Sequence, residues 1–529
     1  MNRSIPIPIP SFCPENASNL LLYGIRFEKS GRYSNVRAWT DCSGVFIKLM
    51  NTAVVRVTLA AIAVVILINM GDARTRDDQS RLTSFVPHSL FDSLAIAYLT
   101  NPTLRQERAM LRAQDEGVPT ALAGWRPQIS GQAGVTYYDG RSNYRGTGDY
   151  LGYSRIYSTP GYRAGVDIQQ PVYSGGKTTA STHQAVNKVM AERANLISVE
   201  QKVFQAVVKA YIGVVDDTQL LRINQGNERV LADQLRATKT RFRDGEITRT
   251  DVDQAQAALA AATSQRERAE GTLDAARAAY LQVVGVTAPA DLLPPQPLAL
   301  PTMSDEEAGA LAAQNHPDVI NALFTQSAQK DAVDVAISAL MPTLTAEVAY
   351  QRGVNQGLGG QFTENKYAAL TMQVPLYQGG SEYAAIRQAR QQAQAGQQAV
   401  DAQRREATQL ASTAWHQLLS ARASVVSDRL AITASTAARD GVRRQALEGV
   451  STTLEVLQQQ EALLQSEVTL IQDLGALVTA SYDVAAAIGR LTAVDLNLSV
   501  PLYDEKAYYR AVKDRLWSMN DFARSQPGR

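Results

Sequence analysis

Apolar and polar residues alternate in four short runs of the chain. After Pro127, Ile129, Gly131, Ala133, Val135 and Tyr137 alternate with Ser130, Gln132, Gly134 and Thr136. Before Pro171, Ala164, Val166 and Ile168 alternate with Arg163, Asp167 and Gln169. The later runs Leu344, Ala346, Val348, Tyr350 and Ala368, Leu370, Met372, Val374 keep the same parity. A period of two predicts strands with one apolar and one polar face. The segments between read differently. No proline interrupts Lys177 to about Arg243 or Ser381 to Glu448, and Phe204, Val207, Val208, Tyr211 and Val215 form a helical stripe. A helix of about 67 residues spans roughly 100 Å. Turns at Gly245 and Gly449 are followed by shorter returning helices that end near Gly285 and Gly489. The pattern predicts two antiparallel coiled-coil hairpins with tips at Gly245 and Gly449. Tyr211 and Trp415 are expected to pack between coils.

The elements come as a tandem repeat. Pro-x-Tyr-x-Gly-Gly occurs at Pro171–Gly176 and at Pro375–Gly380, an offset of 204 residues. The offset persists through Tyr211/Trp415, Gly245/Gly449, Asp251/Glu455 and Gly285/Gly489, whereas Pro102/Pro317 and Pro127/Pro342 stand 215 apart. An 11-residue insertion in the first copy reconciles the two. The first repeat is assigned to 85–287, with strands at about 128–138 and 162–172 and helices at about 177–244 and 248–284. A proline-rich linker, 288–301, leads into the second repeat, 302–492, with strands at about 343–351 and 366–376 and helices at about 381–448 and 452–490. A tail, 493–529, comes last, with an amphipathic stretch from Val500 to Trp517 expected to wrap the outside of the helices. The double motif reads as a corner. Pro171 and Pro375 lack the N–H that would continue a ladder. Gly175, Gly176, Gly379 and Gly380 can take the positive φ that redirects strand into helix.

The first 73 residues read as a separate object. Lys48 and Arg56 precede the apolar run Leu59–Ile68, and Gly-Asp-Ala closes it at Ala73. This is the layout of a secretory signal over about 50–73, preceded by a dispensable extension. Cys13 and Cys42 both fall within it, so the expected mature chain has no thiol and no lipid-bearing cysteine. With 52 Lys and Arg against 51 Asp and Glu, no basic excess points to nucleic acid. The four histidines have no ligand spacing, so no metal site is expected, and no phosphate loop or nucleophile triad suggests a cofactor or an enzyme.

A strand with one apolar face is the pattern of a membrane barrel, and tyrosines clustered from Tyr137 to Tyr162 suit a membrane interface. Four strands are too few for a single-chain barrel, and open edges are not stable in lipid. Self-association is therefore expected. A soluble coiled-coil scaffold without a pore is the rival reading; it leaves the export signal and the four parity-matched strands without a role.

Strand, P-x-Y-x-G-G, long helix, glycine tip (G-x-x-x-x-T-D-V from Gly245 to Val252, G-x-x-x-x-L-E-V from Gly449 to Val456) and return helix, given twice, resemble the TolC-like outer-membrane channel family over about residues 85 to 495. The resemblance implies a mainly α fold with a small membrane β part. It implies a homotrimer whose twelve strands close a β-barrel in outer-membrane lipid, continuous with a long α-helical barrel in the periplasm. The implied role is the passive exit duct of a type I secretion or efflux system, working with a periplasmic adaptor and an inner-membrane ABC or RND pump. By position, Thr250 and Asp251 match the family's first-tip tie residues and Glu455 its outer gate acid. Gln458 replaces the inner gate acid, and Ala446 and Ser451 replace a tyrosine and an arginine tie. Arg249, Arg443 and Arg444 are candidate substitute partners, and the turns at Gly245 and Gly449 are candidate adaptor contacts. The same acids also fit a solvated coiled-coil end, with surface pairs worth at most about 1 kcal/mol each.

Overall fold

A computed structural model describes residues 87–144, 153–300, 304–356, 361–519 and 522. The signal and extension assigned to 1–73 lie outside the described residues, as does Tyr150. All of the described residues belong to one structural unit, Asp78–Arg529.

Each repeat opens with a pair of helices. In the first, α1 (Leu90–Thr100) starts at a capping box in which Ser89 and Asp92 satisfy each other's backbone N–H groups. Asn101 then caps α2 (Pro102–Asp115), whose proline at the first helical position needs no donor. The second repeat uses the same devices: Ser304 with Glu307 opens α6 (Asp305–Asn315), and His316 caps α7 (Pro317–Ser338). The first repeat adds a short α3 (Gly117–Leu122) and a 3₁₀ turn, Ala123–Trp125, before its strands.

The four strands are β1 (Gln128–Tyr144), β2 (Tyr153–Ser174), β3 (Thr343–Val354) and β4 (Phe362–Gln373). They form one antiparallel sheet in the order β1-β2-β3-β4, so the two repeats are joined through β2 and β3. The register keeps the faces apart. Ile129, Ile168, Val348 and Ala368 lie in one row, and Val135, Tyr162, Val354 and Phe362 in another on the same face. The opposite face carries Ser130, Asp167, Ala349 and Tyr367 in one row and Gln132, Gly165, Gln351 and Asn365 in the next. On this polar face the Ser130 hydroxyl donates to Asp167, and the Tyr367 hydroxyl to Glu347 at 2.8 Å.

β1 and β2 run well past the apolar alternation, pairing through Asp139, Gly140 and Arg141, because the backbone ladder continues where the side chains have turned polar. Pro171 does not stop β2. It pairs with Thr345, and the strand goes on to Ser174 through a register shift between Pro171 and Tyr173. The last β1–β2 pair is Gln128 with Gln169, so at Pro171 the strand has a neighbour on one side only. Edges and bulges are where a sheet accepts a missing donor. In the second repeat β4 ends at Gln373, two residues before Pro375.

Each corner then passes into a long helix through two glycines of positive φ, 63° and 85° at Gly175 and Gly176 and 76° and 84° at Gly379 and Gly380. The helices α4 (Lys177–Arg243) and α8 (Ser381–Leu447) each have 67 residues. Their return partners α5 (Arg249–Val284) and α9 (Thr453–Ala487) have 36 and 35. No helix among the described residues is long and apolar enough to cross a membrane.

The core lies at mid-height, away from the sheet. Leu94 and Tyr98 of α1, Leu104 and Leu111 of α2, Phe204, Val207 and Tyr211 of α4, Tyr280 of α5 and Tyr482 of α9 form one cluster. Tyr211 is fully buried, and its hydroxyl donates to the carbonyls of Leu293 at 2.7 Å and His88 at 3.1 Å, which pins the linker. A smaller cluster joins Val319 of α7, Ala411 and Leu418 of α8 and Val484 of α9, with Trp415 partly buried against it. The residues after Gly489 return to the larger cluster through Leu491, Leu496 and Leu498.

Candidate functional site

The two hairpin tips are built to one plan. α4 ends where Gly245, at φ 79°, lets Glu246 N–H close back on the Arg241 carbonyl at 2.9 Å. α8 ends the same way at Gly449, φ 77°, with Val450 N–H on the Gln445 carbonyl at 2.9 Å. Three residues beyond each glycine, a threonine caps the return helix. The Thr248 hydroxyl accepts from Asp251 N–H, and the Asp251 carboxylate accepts from Thr248 N–H at 2.9 Å. Thr452 and Glu455 repeat the reciprocal pair, at 3.3 and 3.2 Å. The two acids therefore stand at the starts of α5 and α9, where the free N–H groups and the helix dipole favour negative charge.

Each acid has additional partners. Asp251 accepts from the Thr248 hydroxyl at 2.6 Å and lies near Thr453, a buried residue of the other tip. The Thr248 hydroxyl is the largest cause holding the Asp251 carboxyl below its usual range; Thr453 and the nearby Arg241 add to it. The Ser451 hydroxyl donates to Glu455 and, with Thr452 N–H, lowers that carboxyl too. Both acids are carboxylates at neutral pH.

The surroundings differ. Arg241 pairs with Glu246 at 2.9 Å, so the first tip is ionic at its apex. The equivalent positions of the second tip are Gln445 and Val450, and there Leu447 and Val450 are three-quarters exposed. Thr250, Arg249, Gln458, Arg443 and Arg444 are exposed, and within this one chain none of the three arginines forms an ion pair among the described residues. Ala446 is buried under the second turn. The residues that organise the tips are Thr248, Thr452, Ser451, Thr453 and Arg241, and the Thr-x-x-Asp and Thr-x-x-Glu spacing is the sequence signal for the capping pairs.

Above the corners, the apolar face of the sheet is solvent-accessible in the single chain. Ile129, Val135, Tyr137, Leu370 and Met372 are each about two-thirds exposed. A contiguous apolar surface of this kind marks a membrane or protein contact.

The sequence matches the family described as outer membrane efflux protein over residues 94–286 and 309–490, and the chain belongs to it. It is 32% identical over 437 residues to the outer membrane efflux protein BepC of Brucella suis, covering 82% of this chain and 92% of that one. It is 22% identical over 339 residues to the alkaline protease secretion protein AprF of Pseudomonas aeruginosa, covering 62% and 68%. Among solved structures, the CmeC outer membrane channel of Campylobacter jejuni superposes with a TM-score of 0.67 at 13% identity, over 84% of this chain and 97% of that one. The protein is an outer-membrane efflux or secretion duct, with its sheet in the outer membrane and its helical part in the periplasm. The pore-less scaffold reading falls with this assignment, and the family is one of channels, not enzymes.

Proposed function

We propose that three copies of the chain close their sheets edge to edge into a twelve-stranded barrel, and that the helical hairpins continue it as a periplasmic conduit. The observation that carries this reading is the sheet itself. It has two free edges, β1 and β4, and all its regular apolar rows lie on one face. In lipid both edges must be paired, and pairing β4 of one copy with β1 of the next keeps the antiparallel order. The second support lies on α8, where Leu419, Val426 and Leu430 are 43%, 63% and 68% exposed at heptad d, d and a spacing. Such a stripe fits a neighbouring coil. Three copies rather than another number rest on the family resemblance.

In this assembly the tips gather at the periplasmic mouth, where Asp251 and Glu455 form rings of negative charge and Arg249, Arg443 and Arg444 face neighbouring chains. The turns at Gly245 and Gly449 present one ionic and one apolar apex to a periplasmic adaptor, which couples the duct to an inner-membrane pump. Cargo passes without chemistry in the duct. The test is single-channel recording of the purified protein, with chemical cross-linking to count subunits. Cross-linked trimers with cation-selective conductance are expected, and Asp251→Asn with Glu455→Gln should reduce the cation selectivity. These amides keep an oxygen that can accept the capping bond while removing the charge. Monomers in the membrane without conductance would overturn the proposal, and unchanged selectivity would remove the acids from the mouth.

A further inference from the structure

The segment beyond the helical repeats runs along α2. Tyr503 N–H donates to the Tyr98 hydroxyl at 3.1 Å, and the Arg108 guanidinium, almost fully buried, sits between the rings of Tyr98 and Tyr503 at 4.5 and 5.1 Å. The Tyr508 hydroxyl donates to Glu116 at 2.8 Å, at the start of the short helix α10 (Ala507–Val512). Up to Val512, which is 3% exposed, the tail is seated. Over the next seven residues the pattern inverts. Leu516, Trp517 and Met519 are 76%, 90% and 83% exposed.

The position of these side chains is fixed by two contacts. Arg126 Nη1 donates to the Arg515 carbonyl at 2.7 Å, and Arg126 stands two residues before β1 begins. The preceding 3₁₀ turn is tied to the sheet by Gln170 Nε2, which donates to the Trp125 carbonyl at 3.0 Å. Gln170 has the parity of Ile168, Val166 and Ala164, so the turn hangs from the apolar face of the sheet. Trp125 itself is 43% exposed. The exposed tail residues therefore continue the apolar belt just below its periplasmic rim. Along the described residues 513–519 Lys513 and Arg515 flank one acid, Asp514, and the Arg515 guanidinium lies over the Phe522 ring at 4.0 Å.

We infer that Leu516, Trp517 and Met519 form a membrane foot, inserted among the phospholipids of the periplasmic leaflet of the outer membrane, with Arg126, Lys513 and Arg515 at the level of the phosphates. Tryptophan prefers this interface because its ring is apolar and its N–H polar. Basic residues beside an apolar insertion add attraction to anionic headgroups. The foot holds the membrane to the outside of the helical part at the barrel rim, a role that a lipid-modified terminus can fill by other means. This inference uses the outer-membrane placement of the sheet and does not require a particular number of chains.

The test is tryptophan quenching in vesicles of phosphatidylethanolamine and phosphatidylglycerol with brominated acyl chains. The Trp517 signal is the difference between the full chain and its Trp517→Phe variant, and Leu370→Trp in that variant reports the belt. Both signals should be quenched by brominated lipid and spared by iodide. A Trp517 signal quenched by iodide and not by lipid places it in water and overturns the foot. A Trp517 signal protected from both places it against protein, such as a second copy of the chain, and overturns it equally. In both cases a quenched Leu370→Trp leaves the membrane-spanning sheet standing; if Leu370→Trp is also untouched by lipid, the spanning sheet falls with the foot.

Discussion

The two corners look alike in sequence and differ in how much room they leave, which makes Gly175→Ala a sharp test of the fold. At Gly175 the backbone has φ 63°, a left-handed conformation that costs an L-residue about 1–2 kcal/mol. A methyl group there would also stand 2.7 Å from Met341 Cβ and 2.8 Å from the Ser338 carbonyl oxygen. Neither is the mobile end of a side chain, so relief requires the segment joining α7 to β3 to move away from the β2–α4 corner. Overpacking of this kind costs about 1–3 kcal/mol, giving a total of about 2–5 kcal/mol. At Gly176, Gly379 and Gly380 φ is also positive, but an added methyl meets nothing within 4 Å. There only the conformational cost of about 1–2 kcal/mol remains. Unfolding entropy of about 2.1 cal/mol/K per residue gives a unit of roughly 450 residues about 1 kcal/mol/K. Thermal melts in detergent, monitored by far-ultraviolet circular dichroism, should thus place Gly175→Ala about 1–3 °C below Gly379→Ala. Equal shifts for the two variants would refute the asymmetry of the corners.

Thr248→Ala and Thr452→Ala should each cost about 1 kcal/mol of helix stability at a tip, read as faster amide hydrogen exchange in the first turn of α5 or α9 without change in the sheet. Tyr211→Phe removes the hydroxyl that holds the linker to α4 and should cost about 1 kcal/mol, with faster proteolytic cleavage between residues 288 and 300. Burial pushes the carboxyls of Asp115, Glu192, Glu200 and Asp216 up to about 7. The folded chain then holds protons that the unfolded chain has released, so these four groups contribute stability that is fully present below about pH 4 and is lost as pH rises to about 7. The apparent Tm should fall between about pH 5 and pH 8, and Asp115→Asn, whose parent carboxyl is fully buried with both oxygens lacking a hydrogen bond, should raise it at pH 8. A Tm that rises over this range would contradict the assignment.

Much of the architecture is legible in the sequence because it is written twice. The parity of Ile129, Ile168, Val348 and Ala368 places each on the apolar face of its strand, and the pairing register then brings them into one row. The tips are legible as turns, but reading Asp251 and Glu455 as tie and gate residues passes over a nearer job, capping their own helices. Threonine three residues before an acid is the visible sign of that job. Three features are hidden for a physical reason. Pro171 within β2 depends on β1 having already ended beside it, a fact of tertiary register. Arg108 reads as surface charge, and it becomes core only because Tyr98 and Tyr503, 405 residues apart, close on its two sides. The unequal burial of α4 and α8 is invisible to a repeat alignment. α1, α2 and the tail pack against α4, whereas α8 keeps an apolar stripe on the surface of the chain.

The equal length of α4 and α8 constrains how this protein can change over generations. Asp251 stands near Thr453 with both long helices 67 residues long, so that the two hairpins reach their turns at the same level. One residue gained or lost in a single long helix would shift that tip by about 1.5 Å and rotate it by about 100°, carrying Thr248 and Asp251 away from the other tip. Substitutions are tolerated, as Arg241 opposite Gln445 and Asp251 opposite Glu455 show. An insertion or deletion keeps the tips in register if both repeats take it together, and about seven residues in one helix nearly restore its phase while displacing its end. The number of residues in the two long helices, more than their identity, keeps the tips side by side.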